Sequence, residues 1–390
     1  MSKKIVMYGA DWCPDCRRAK SFLQDNKITY DLIDLDKNPS AGQKVEEINA
    51  GKRIIPTIII DGTPYANPDN AKLMELLELK QASSDKIFDV IVVGAGAAGL
   101  TTSIYCQRDK LDTLVLEKKN IGGNAFLTEK IENYPGFTTI SGPKLMDKMS
   151  QQAETYGAVI KQGVEVKDFS KEDADFVVNT NLGSFKSKTI VLATGSTYRQ
   201  LNIPGEDELI GAGVHFCATC DGAFYREKEV IVIGGGNSAL EEGIFLSRFC
   251  SKVKIISRKP EFTASKTYID KLPEIKNIET YMNKTSLKFV SNEKDLFKEL
   301  QVKDNETGKE EVIKADGVFI FAGLIPNTSF LKGLLELDQR GFIATECASA
   351  KTKTDGVFAA GDCRSGAIAQ VAAATGEGVL ASYAVKSFLN

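Results

Sequence analysis

The sequence predicts an α/β protein in three parts, because short apolar runs typical of strands alternate with helical patterns along its 390 residues. Residues 1–80 form a small unit of this kind. Two larger units follow, and each begins with an apolar run that leads into a glycine-rich loop, Val90–Gly99 in one and Val230–Ala239 in the other. The duplication of this motif indicates two related folds in one chain.

Composition indicates an ordinary globular protein, with 43% hydrophobic residues, 26% charged residues and a net charge of −3. This balance offers no electrostatic attraction for nucleic acid or for an anionic membrane surface. No apolar run reaches the length of a membrane span, and Asp11 interrupts the basic N-terminus before a secretory leader can form. We therefore expect a cytoplasmic protein that binds neither nucleic acid nor membranes.

Three strands and three helices are expected in residues 1–80. Proline is favoured at the first helical position, so Pro14 marks the start of the first helix. Leu73, Leu76 and Leu77 lie at helical spacing. In chain order, the predicted segments are the strand Lys3–Tyr8, the helix from Pro14, the strand Ile28–Leu35, the helix Ala41–Asn49, the β-branched strand Thr57–Ile60 and the helix Asn70–Leu79. The polar run Gln81–Asp85 then predicts a linker.

The first cysteine pair, Cys13 and Cys16, lies where the first helix begins. The helix dipole and the basic residues Arg17 and Arg18 favour a thiolate at Cys13, which is predicted to be the nucleophile, with Cys16 as the resolving thiol. Pro56 precedes the β-branched strand, and a cis peptide bond there suits a loop that faces the dithiol. Half of a zinc site and a structural pair are the alternatives.

The second pair, Cys217 and Cys220, is followed at once by Asp221. Reduction of a disulfide produces two thiolates, one of which needs a proton, and Asp221 is predicted to supply it. A four-cysteine zinc site is disfavoured because the two pairs lie about 200 residues apart. His215, the only histidine, excludes a multi-histidine metal site and is interpreted as a packed neighbour or a group that tunes the thiols. We expect no bound metal.

The first glycine-rich loop has the pattern of a dinucleotide-binding turn. Gly94 and Gly96 allow a tight turn and a close approach of the backbone to a pyrophosphate, while Ala97 and Ala98 open the helix whose N–H groups face it. Glu117 ends the next apolar strand, 23 residues after Gly94, where an acid holds a ribose hydroxyl. The sequence therefore predicts a Rossmann-type site.

The second loop repeats the glycines but not the acid. The residues expected to face a second dinucleotide are Gly234, Gly236, Asn237 and Ser238. Ser257 stands where Glu117 stands in the first copy, and Arg258 and Lys259 follow it. Cationic groups at this point receive the extra phosphate of NADP, so NADPH is favoured. The alternatives are that the two cations are solvated and that Glu261 serves a ribose, which leaves NADH open.

From Asp85 to the C-terminus the chain resembles the bacterial-type low-molecular-weight thioredoxin reductases. Besides both loops and Cys217–Asp221, the resemblance rests on Gly122–Gly123, Glu132–Gly136, Ala193–Gly195, Gly361–Asp362 and Gln370. Residues 1–80, with the Cys13 pair and the Ile55–Thr57 run, resemble a glutaredoxin. The whole chain is similar to a glutaredoxin fused to a thioredoxin reductase.

This resemblance implies FAD at the first loop and NAD(P)H at the second. The FAD-binding residues would be Gly94, Gly96, Ala97, Ala98, Glu117, Gly122, Asn133, Thr194, Gly195, Gly361, Asp362 and Gln370. The NAD(P)H-binding residues would be Gly234, Gly236, Asn237, Ser238, Arg258 and Lys259. It implies a thioredoxin-fold domain (1–80), a linker (81–85), an FAD domain (86–200 and 328–390) and an inserted NAD(P)H domain (201–327).

The resemblance also implies a route for electrons, from NAD(P)H through FAD to Cys217 and Cys220, then to Cys13 and Cys16. The final acceptor would be a disulfide of a protein, such as a peroxiredoxin or a thioredoxin-like protein, or of a small molecule, and the enzyme would be a homodimer. Service to one dedicated peroxiredoxin and electron supply from a protein donor such as ferredoxin are the alternative functions. Delivery from Cys217 to Cys13 within one chain or between chains is left open.

Three departures from these families bear on specificity. Ser257 and Thr263 replace a histidine and a basic residue in the phosphate-binding run, which weakens the preference for NADPH. Ala369 replaces an arginine that precedes Gln370 in the reductases. In the N-terminal unit, Asp61–Asp69 stands in place of the glutathione-binding run, so the use of glutathione is left open.

Overall fold

A computed structural model describes residues 3–11, 13–38, 40–79, 86–126, 128, 131–346 and 349–390. The predicted linker 81–85 lies outside these residues. The chain divides into two compact units. The first comprises Met1–Glu129, Ile140–Ser196 and Pro326–Asn390, and the second comprises Lys130–Thr139 and Thr197–Ile325.

The N-terminal part of the first unit is a four-stranded sheet with helices. Its elements are β1 (Ile5–Gly9), α1 (Pro14–Asp25), β2 (Asp31–Asp34), α2 (Ser40–Ile48), β3 (Thr57–Ile60), β4 (Thr63–Ala66) and α3 (Asn70–Leu76). The strand order is β2-β1-β3-β4, with β1 parallel to β2 and antiparallel to β3. The prediction missed β4, a mostly exposed edge strand that contains Pro64, because proline and turn residues conceal its alternation.

The next part of the first unit begins with the first glycine loop. Its elements are β5 (Ile87–Val93), α4 (Ala97–Arg108), β6 (Thr113–Glu117), α5 (Gly123–Phe126), α6 (Gly142–Thr155), β7 (Val159–Gln162), β8 (Val166–Glu172), β9 (Asp175–Thr180) and β10 (Gly183–Leu192). The core strands β5 and β6 are parallel and almost wholly buried, since helices or other layers cover both faces. The helix α4 is buried on nearly every side.

The second unit contains the second glycine loop and the second cysteine pair. Its elements, of which the first and the last each share one residue with the first unit, are β11 (Ser196–Tyr198), α7 (Glu206–Leu209), β12 (Val214–His215), α8 (Ala218–Asp221), β13 (Glu229–Ile233), α9 (Asn237–Leu246), β14 (Lys252–Ile256), α10 (Lys266–Ile269), β15 (Ile278–Tyr281), β16 (Lys284–Ser291), β17 (Phe297–Asp304), β18 (Glu310–Lys314), β19 (Gly317–Ile320) and β20 (Leu324–Pro326). A parallel five-stranded sheet has the order β12-β19-β13-β14-β15, and β16, β17 and β18 form an antiparallel sheet.

The chain ends in the first unit with β21 (Val357–Ala359) and α11 (Val371–Leu389). β21 joins β10 and completes a seven-stranded sheet whose main order is β7-β6-β5-β10-β9-β8. Gly378 brings α11 against the backbone of α4, because an added Cβ there would overlap the Ala98 carbonyl. Within the described residues, none of the helices is both long and apolar enough to cross a membrane.

Candidate redox and dinucleotide sites

The N-terminal thiols lie at the start of α1, where Cys13 is the N-cap. The Cys16 backbone N–H donates to Cys13 Sγ at 3.2 Å, and the Cys13 thiol lies 3.8 Å from the Ile55 carbonyl. The Ile55–Pro56 bond is cis, as the sequence indicated. Both thiols are free and buried, with Cys13 5% exposed and Cys16 fully covered.

These contacts make the two thiols chemically different. A hydrogen bond from the Cys16 side chain, opposed by burial and aided by the Cys16 N–H, lowers the pKa of Cys13 to about 7. The same side-chain hydrogen bond, together with burial, raises the pKa of Cys16 above its ordinary value. A thiolate therefore forms at Cys13 near neutral pH while Cys16 keeps its proton.

The two arginines expected to favour the thiolate have other partners. Arg17 Nη1 donates to Asp147 Oδ1 at 2.9 Å. Arg18 is buried, and its guanidinium donates to the Asn70 and Asn67 side chains and to the Pro68 carbonyl at 2.6–3.0 Å. Hydrogen bonding between the cysteines, rather than basic charge, is thus the leading cause of the low Cys13 pKa.

In the second unit, Cys217 links β12 to α8 and is disulfide-bonded. The Asp221 N–H donates to the Cys217 carbonyl at 3.1 Å, which fixes the acid one helical turn from that cysteine. Asp221 Oδ2 lies 3.3 Å from His215 Nδ1. The backbone of Cys220 lies in α8 between them. The predicted acid and the only histidine are therefore direct neighbours.

The His215 ring is held from three sides. Its Nε2 lies 2.7 Å from the Tyr225 hydroxyl, and the ring stacks on Phe319 with centroids 5.3 Å apart. Burial, with Asp221 and Asp316 nearby, raises the pKa of Tyr225, so the phenol stays protonated. An Asp221–His215–Tyr225 chain of polar contacts results, in which each ring nitrogen faces one partner. The sequence identified His215 and Asp221 but gave no signal for Tyr225.

The first glycine loop joins β5 to α4 in the manner expected of a dinucleotide turn. Gly94 has a φ of +105°, and an added Cβ would overlap the Ala193 carbonyl, so only glycine fits. Gly96 is the N-cap of α4, and a Cβ there would meet no atom within 4 Å. Open space therefore lies over the helix N-terminus, as a pyrophosphate requires. Ala97 and Ala98 form the first turn of α4.

Other segments of the first unit meet this turn. The Gly122 N–H donates to the Ala95 carbonyl at 2.9 Å. Ala193–Thr194 passes against Gly94, and a Cβ on Gly361 would lie 3.0 Å from Ala98 Cβ. Glu117 accepts the Ala95 N–H at 2.8 Å and the Lys119 N–H at 2.7 Å, and burial raises its pKa.

The remaining predicted residues of this site have mixed positions. Burial, followed by the nearby Glu377, raises the pKa of Asp362 to about 6, and Gly195 carries a φ of +66° beside Thr194. Gln370 is the N-cap of α11. Asn133 lies in Lys130–Thr139, which belongs to the second unit and is not grouped with the others. The Ser196 hydroxyl, next in sequence to Gly195, is buried without a hydrogen-bond partner among the described residues.

The second loop has the same local design in the second unit. Gly234 has a φ of +150°, and Gly236 is the N-cap of α9 with no atom within 4 Å of an added Cβ. Asn237 and Ser238 are exposed in the first turn of α9, although Asn237 Oδ1 already accepts the Ser265 N–H at 2.7 Å. Open space again lies over a helix N-terminus.

The strand end beside this loop lacks an acid. Ser257 is 3% exposed, and a Cβ on Gly235 would lie 2.8 Å from Ser257 Oγ, so a larger residue at 257 would press on the loop. Arg258 and Lys259 are exposed directly after it. The arrangement presents two cations, and no carboxylate at position 257, to the region where a dinucleotide ribose would lie.

Comparison with known proteins shows the family of this chain, because a single family match spans both loops. Residues 88–378 match the profile of the pyridine nucleotide-disulphide oxidoreductases, a span that contains both dinucleotide loops and the second cysteine pair. The chain belongs to the pyridine nucleotide-disulphide oxidoreductase family. Residues 5–64 match the glutaredoxin profile, so this oxidoreductase carries an N-terminal glutaredoxin domain.

Individual relatives of this oxidoreductase are thioredoxin reductases. The chain is 38% identical to that of Bacillus subtilis (strain 168), over 79% of this chain and 96% of that protein. It is 41% identical to that of Treponema pallidum (strain Nichols), over 78% and 97%. The thioredoxin reductase structure from Streptococcus pyogenes MGAS5005 superposes with a TM-score of 0.73 at 33% identity, covering 78% of this chain and 99% of that one. The unmatched part corresponds in length to the N-terminal domain.

The oxidoreductase is therefore a thioredoxin reductase-like flavoprotein with a glutaredoxin domain, in a family that depends on FAD and NAD(P)H. Its residues fit both groups, since each loop leaves open space at a helix N-terminus. The sequence alone did not identify Arg364 and Glu377, which form an ion pair at 2.8 Å. The Gly361 N–H donates to Glu377 Oε2, so this pair helps to hold Gly361 in place. No spacing signal relates these residues to the first loop.

Proposed function

We propose that this chain is a disulfide reductase that uses NADPH and FAD to reduce its Cys217–Cys220 pair, and that Cys13 and Cys16 pass the reducing equivalents to disulfides of other proteins. The main observation behind this proposal is the difference in pKa between the two N-terminal thiols. Cys13, with a pKa of about 7, is a nucleophile at neutral pH, and Cys16 is a buried thiol placed to resolve a mixed disulfide.

The residues that would hold FAD are Gly94, Gly96, Ala97, Ala98, Glu117, Gly122, Asn133, Thr194, Gly195, Gly361, Asp362 and Gln370. Those that would hold NADPH, or NADH, are Gly234, Gly236, Asn237, Ser238, Arg258 and Lys259. FAD, when bound, supplies the two-electron link between the dinucleotide and a disulfide. The chain itself contributes helix N-termini that neutralise pyrophosphate charge, and the exposed Arg258 and Lys259 favour the extra phosphate of NADPH.

The thiol steps balance within the chain's own residues. The Cys217 thiolate attacks Cys13 of the Cys13–Cys16 disulfide, which forms a Cys217–Cys13 mixed disulfide and releases Cys16. Cys220 then attacks the Cys217 sulfur, which releases the Cys13 thiolate and restores the Cys217–Cys220 disulfide. Asp221 protonates the second thiolate of the reduced pair, Cys220, and takes that proton back as Cys220 attacks, while the released Cys16 takes up a proton; His215 orients the Asp221 carboxyl group. The Cys13 thiolate then attacks a disulfide of the acceptor, and Cys16 releases the reduced product.

Transfer to Cys13 and Cys16 would be favourable in free energy for a donor pair with a thioredoxin-type potential and an acceptor pair with a glutaredoxin-type potential. Thioredoxin-type dithiols have potentials near about −270 mV and glutaredoxins near about −200 to −230 mV, a difference of about 2–3 kcal/mol for two electrons. Tethering adds an effective concentration on the order of millimolar. We propose a cytoplasmic homodimer whose acceptors include a peroxiredoxin or a thioredoxin-like protein. The difference in pKa between Cys13 and Cys16 favours a relay through this pair over direct reduction of the acceptor by Cys217.

An anaerobic titration of the oxidised enzyme with NADPH tests the proposal, with flavin absorbance as the readout. Three two-electron centres predict consumption of about three equivalents per chain, and the matched variant Cys13→Ser/Cys16→Ser predicts about two. Equal values for the two proteins would show that the N-terminal thiols receive no electrons from the flavin. Bleaching with NADH but not with NADPH would reverse the assigned dinucleotide.

A further inference from the structure

The N-terminal domain contacts the rest of the first unit through Asn70, the first residue of α3. Asn70 Nδ2 donates to the Gln162 carbonyl at 2.6 Å, and its Oδ1 accepts from Arg18 at 2.6 Å. Gln162 is the last residue of β7, the edge strand of the seven-stranded sheet. Asn70 is only 2% exposed, so a buried amide joins the helix bearing the dithiol to a strand edge that would otherwise be open.

The residue that follows β7, Gly163, leaves room for the Asn70 side chain. Gly163 has a φ of +74°, and a Cβ added there would overlap the Asn70 side chain. Any residue other than glycine would therefore displace Asn70 as well as strain the backbone. Asn70 and Gly163 are therefore closely packed against each other.

Two ion pairs and an apolar cluster reinforce the contact. Arg17 pairs with Asp147 of α6 at 2.9 Å, and Lys161 of β7 pairs with Asp25 at the end of α1 at 3.1 Å. One continuous cluster of buried side chains includes Leu73 of the N-terminal domain and Val164 of the sheet region. Opposite charges and apolar burial therefore both act across this boundary.

The docked face lies one helical turn from the nucleophile. Arg17, which pairs with Asp147, follows Cys13 by four residues at the start of α1. With the domain in this position, Cys13 is 5% exposed. A disulfide of another protein must reach Cys13 Sγ in line with its own sulfur–sulfur bond, and a cysteine this deeply covered gives such a partner little access.

We propose that β7, Gly163 and Asp147 form a docking surface for the dithiol face of the N-terminal domain of the same chain, and that docking withholds Cys13 from external disulfides. Exchange requires the domain to leave this surface. The docked and released positions form a two-state equilibrium, and the alkylation rate of Cys13 is proportional to the released fraction. This inference goes beyond the proposed electron route, and it requires only that Cys13 is a reactive thiol.

The test is the alkylation rate of Cys13 by iodoacetamide in full-length protein reduced with dithiothreitol, measured by mass spectrometry. Asp147→Arg places a cation against Arg17, so a half-exposed ion pair is replaced by a repulsion of similar energy. The released fraction of the domain is then expected to increase, and the alkylation rate to rise by about three- to fivefold. The exchanged pair Arg17→Asp/Asp147→Arg is expected to restore the slow rate. Glu172→Arg, an equal change of charge at an exposed position on β8, is the control and leaves the rate unchanged.

Lys161→Glu provides a second variant, which opposes Asp25 and is expected to act in the same direction. Wild-type rates in both Asp147→Arg and Lys161→Glu would overturn the proposal, since the burial of Cys13 would then arise inside its own domain. A fast rate that persists in the exchanged pair would also overturn it. Because the assay needs no dinucleotide, its outcome is independent of the NADPH titration.

Discussion

Cys13 combines two properties that normally oppose each other, a lowered pKa and almost complete burial. Burial alone raises the pKa of Cys250 to about 11, and burial together with the nearby Asp109 raises that of Cys106 to about 12. The hydrogen bonds from the Cys16 thiol and backbone N–H offset burial at Cys13. Reactivity at this position is thus set by its neighbour three residues along the helix.

The pH dependence of Cys13 alkylation follows from this arrangement. A folded-state pKa of about 7 predicts a rate that rises with pH and is half-maximal near pH 7, whereas an ordinary thiol has its midpoint near 9.0. Cys16→Ala removes the first cause of the shift and is expected to move the midpoint upward, toward the ordinary value. Mass spectrometry of the Cys13 peptide measures both, with Cys106 and Cys250 as unreactive controls below about pH 9. A wild-type midpoint near 9.0 would contradict the expectation.

At this scale the sequence predicted which residue types meet, but not which partner each one chooses. The N-cap position of Cys13 follows from local spacing, because Pro14 marks the start of the helix. His215 was expected to be a packed neighbour or to tune the thiols, and its contact with Asp221 was not predicted. Arg17 and Arg18 were expected beside the thiolate and instead contact Asp147 and Asn70. Those partners lie 130 and 52 residues away along the chain, and no pattern encodes such a choice.

Each dinucleotide loop is a strand, a turn and a helix whose N-cap glycine faces open space. At Gly96 and Gly236 φ is −77° and −96°, values that any residue adopts, so glycine is not needed there for backbone freedom. The absence of a Cβ matters only if something else fills the space. Substitution at either position is therefore expected to affect binding of a dinucleotide without affecting the fold.

Alanine at the two positions gives a crossed prediction. Gly96→Ala is expected to fold normally, because the new methyl meets no protein atom, and to retain FAD at least about tenfold more weakly through overlap with the pyrophosphate. Gly236→Ala is expected to keep its FAD and raise the KM for NADPH by a similar factor. Flavin absorbance per chain and steady-state kinetics distinguish them. Loss of FAD in Gly236→Ala with none in Gly96→Ala would reverse the assignment of the loops.

Elements with strong periodicity were predictable, and edge elements were not. The buried strands β5 and β13 and their following helices agree with the expected motif, because continuous apolar runs specify strands covered on both faces. β4 escaped detection, since Pro64 and the exposed Thr63 give it no alternation. The sequence also gave no sign that Asn70 would bond to β7, since that contact depends on the packing of two separately folded parts.

The glutaredoxin domain belongs to the same compact unit as the first dinucleotide loop. Residues 80–86 connect its last described residue to β5 and span at most about 25 Å when extended. After release from its docking surface, the domain therefore stays close to its own chain. This limited reach favours delivery of reducing equivalents to Cys13 within one chain.

Mixed dimers of the proposed homodimeric enzyme test that expectation. Cys13→Ser and Cys217→Ser chains, co-expressed with different tags and purified through both, each lack one step. Delivery within a chain predicts NADPH-dependent disulfide reduction no greater than that of the two variants alone. Recovery to about half of the wild-type rate per dimer would instead demonstrate delivery between chains, because only one crossed route would then be complete.

The single histidine gives the second cysteine site its own spectroscopic label. His215 is the only imidazole in 390 residues, and its two nitrogens face Asp221 and Tyr225. Protein grown on isotope-labelled histidine would therefore yield one set of ring signals, which need no assignment. Their nitrogen shifts would report which ring atom carries hydrogen as the adjacent cysteines change between oxidised and reduced forms, in the unmodified protein and without a chromophore.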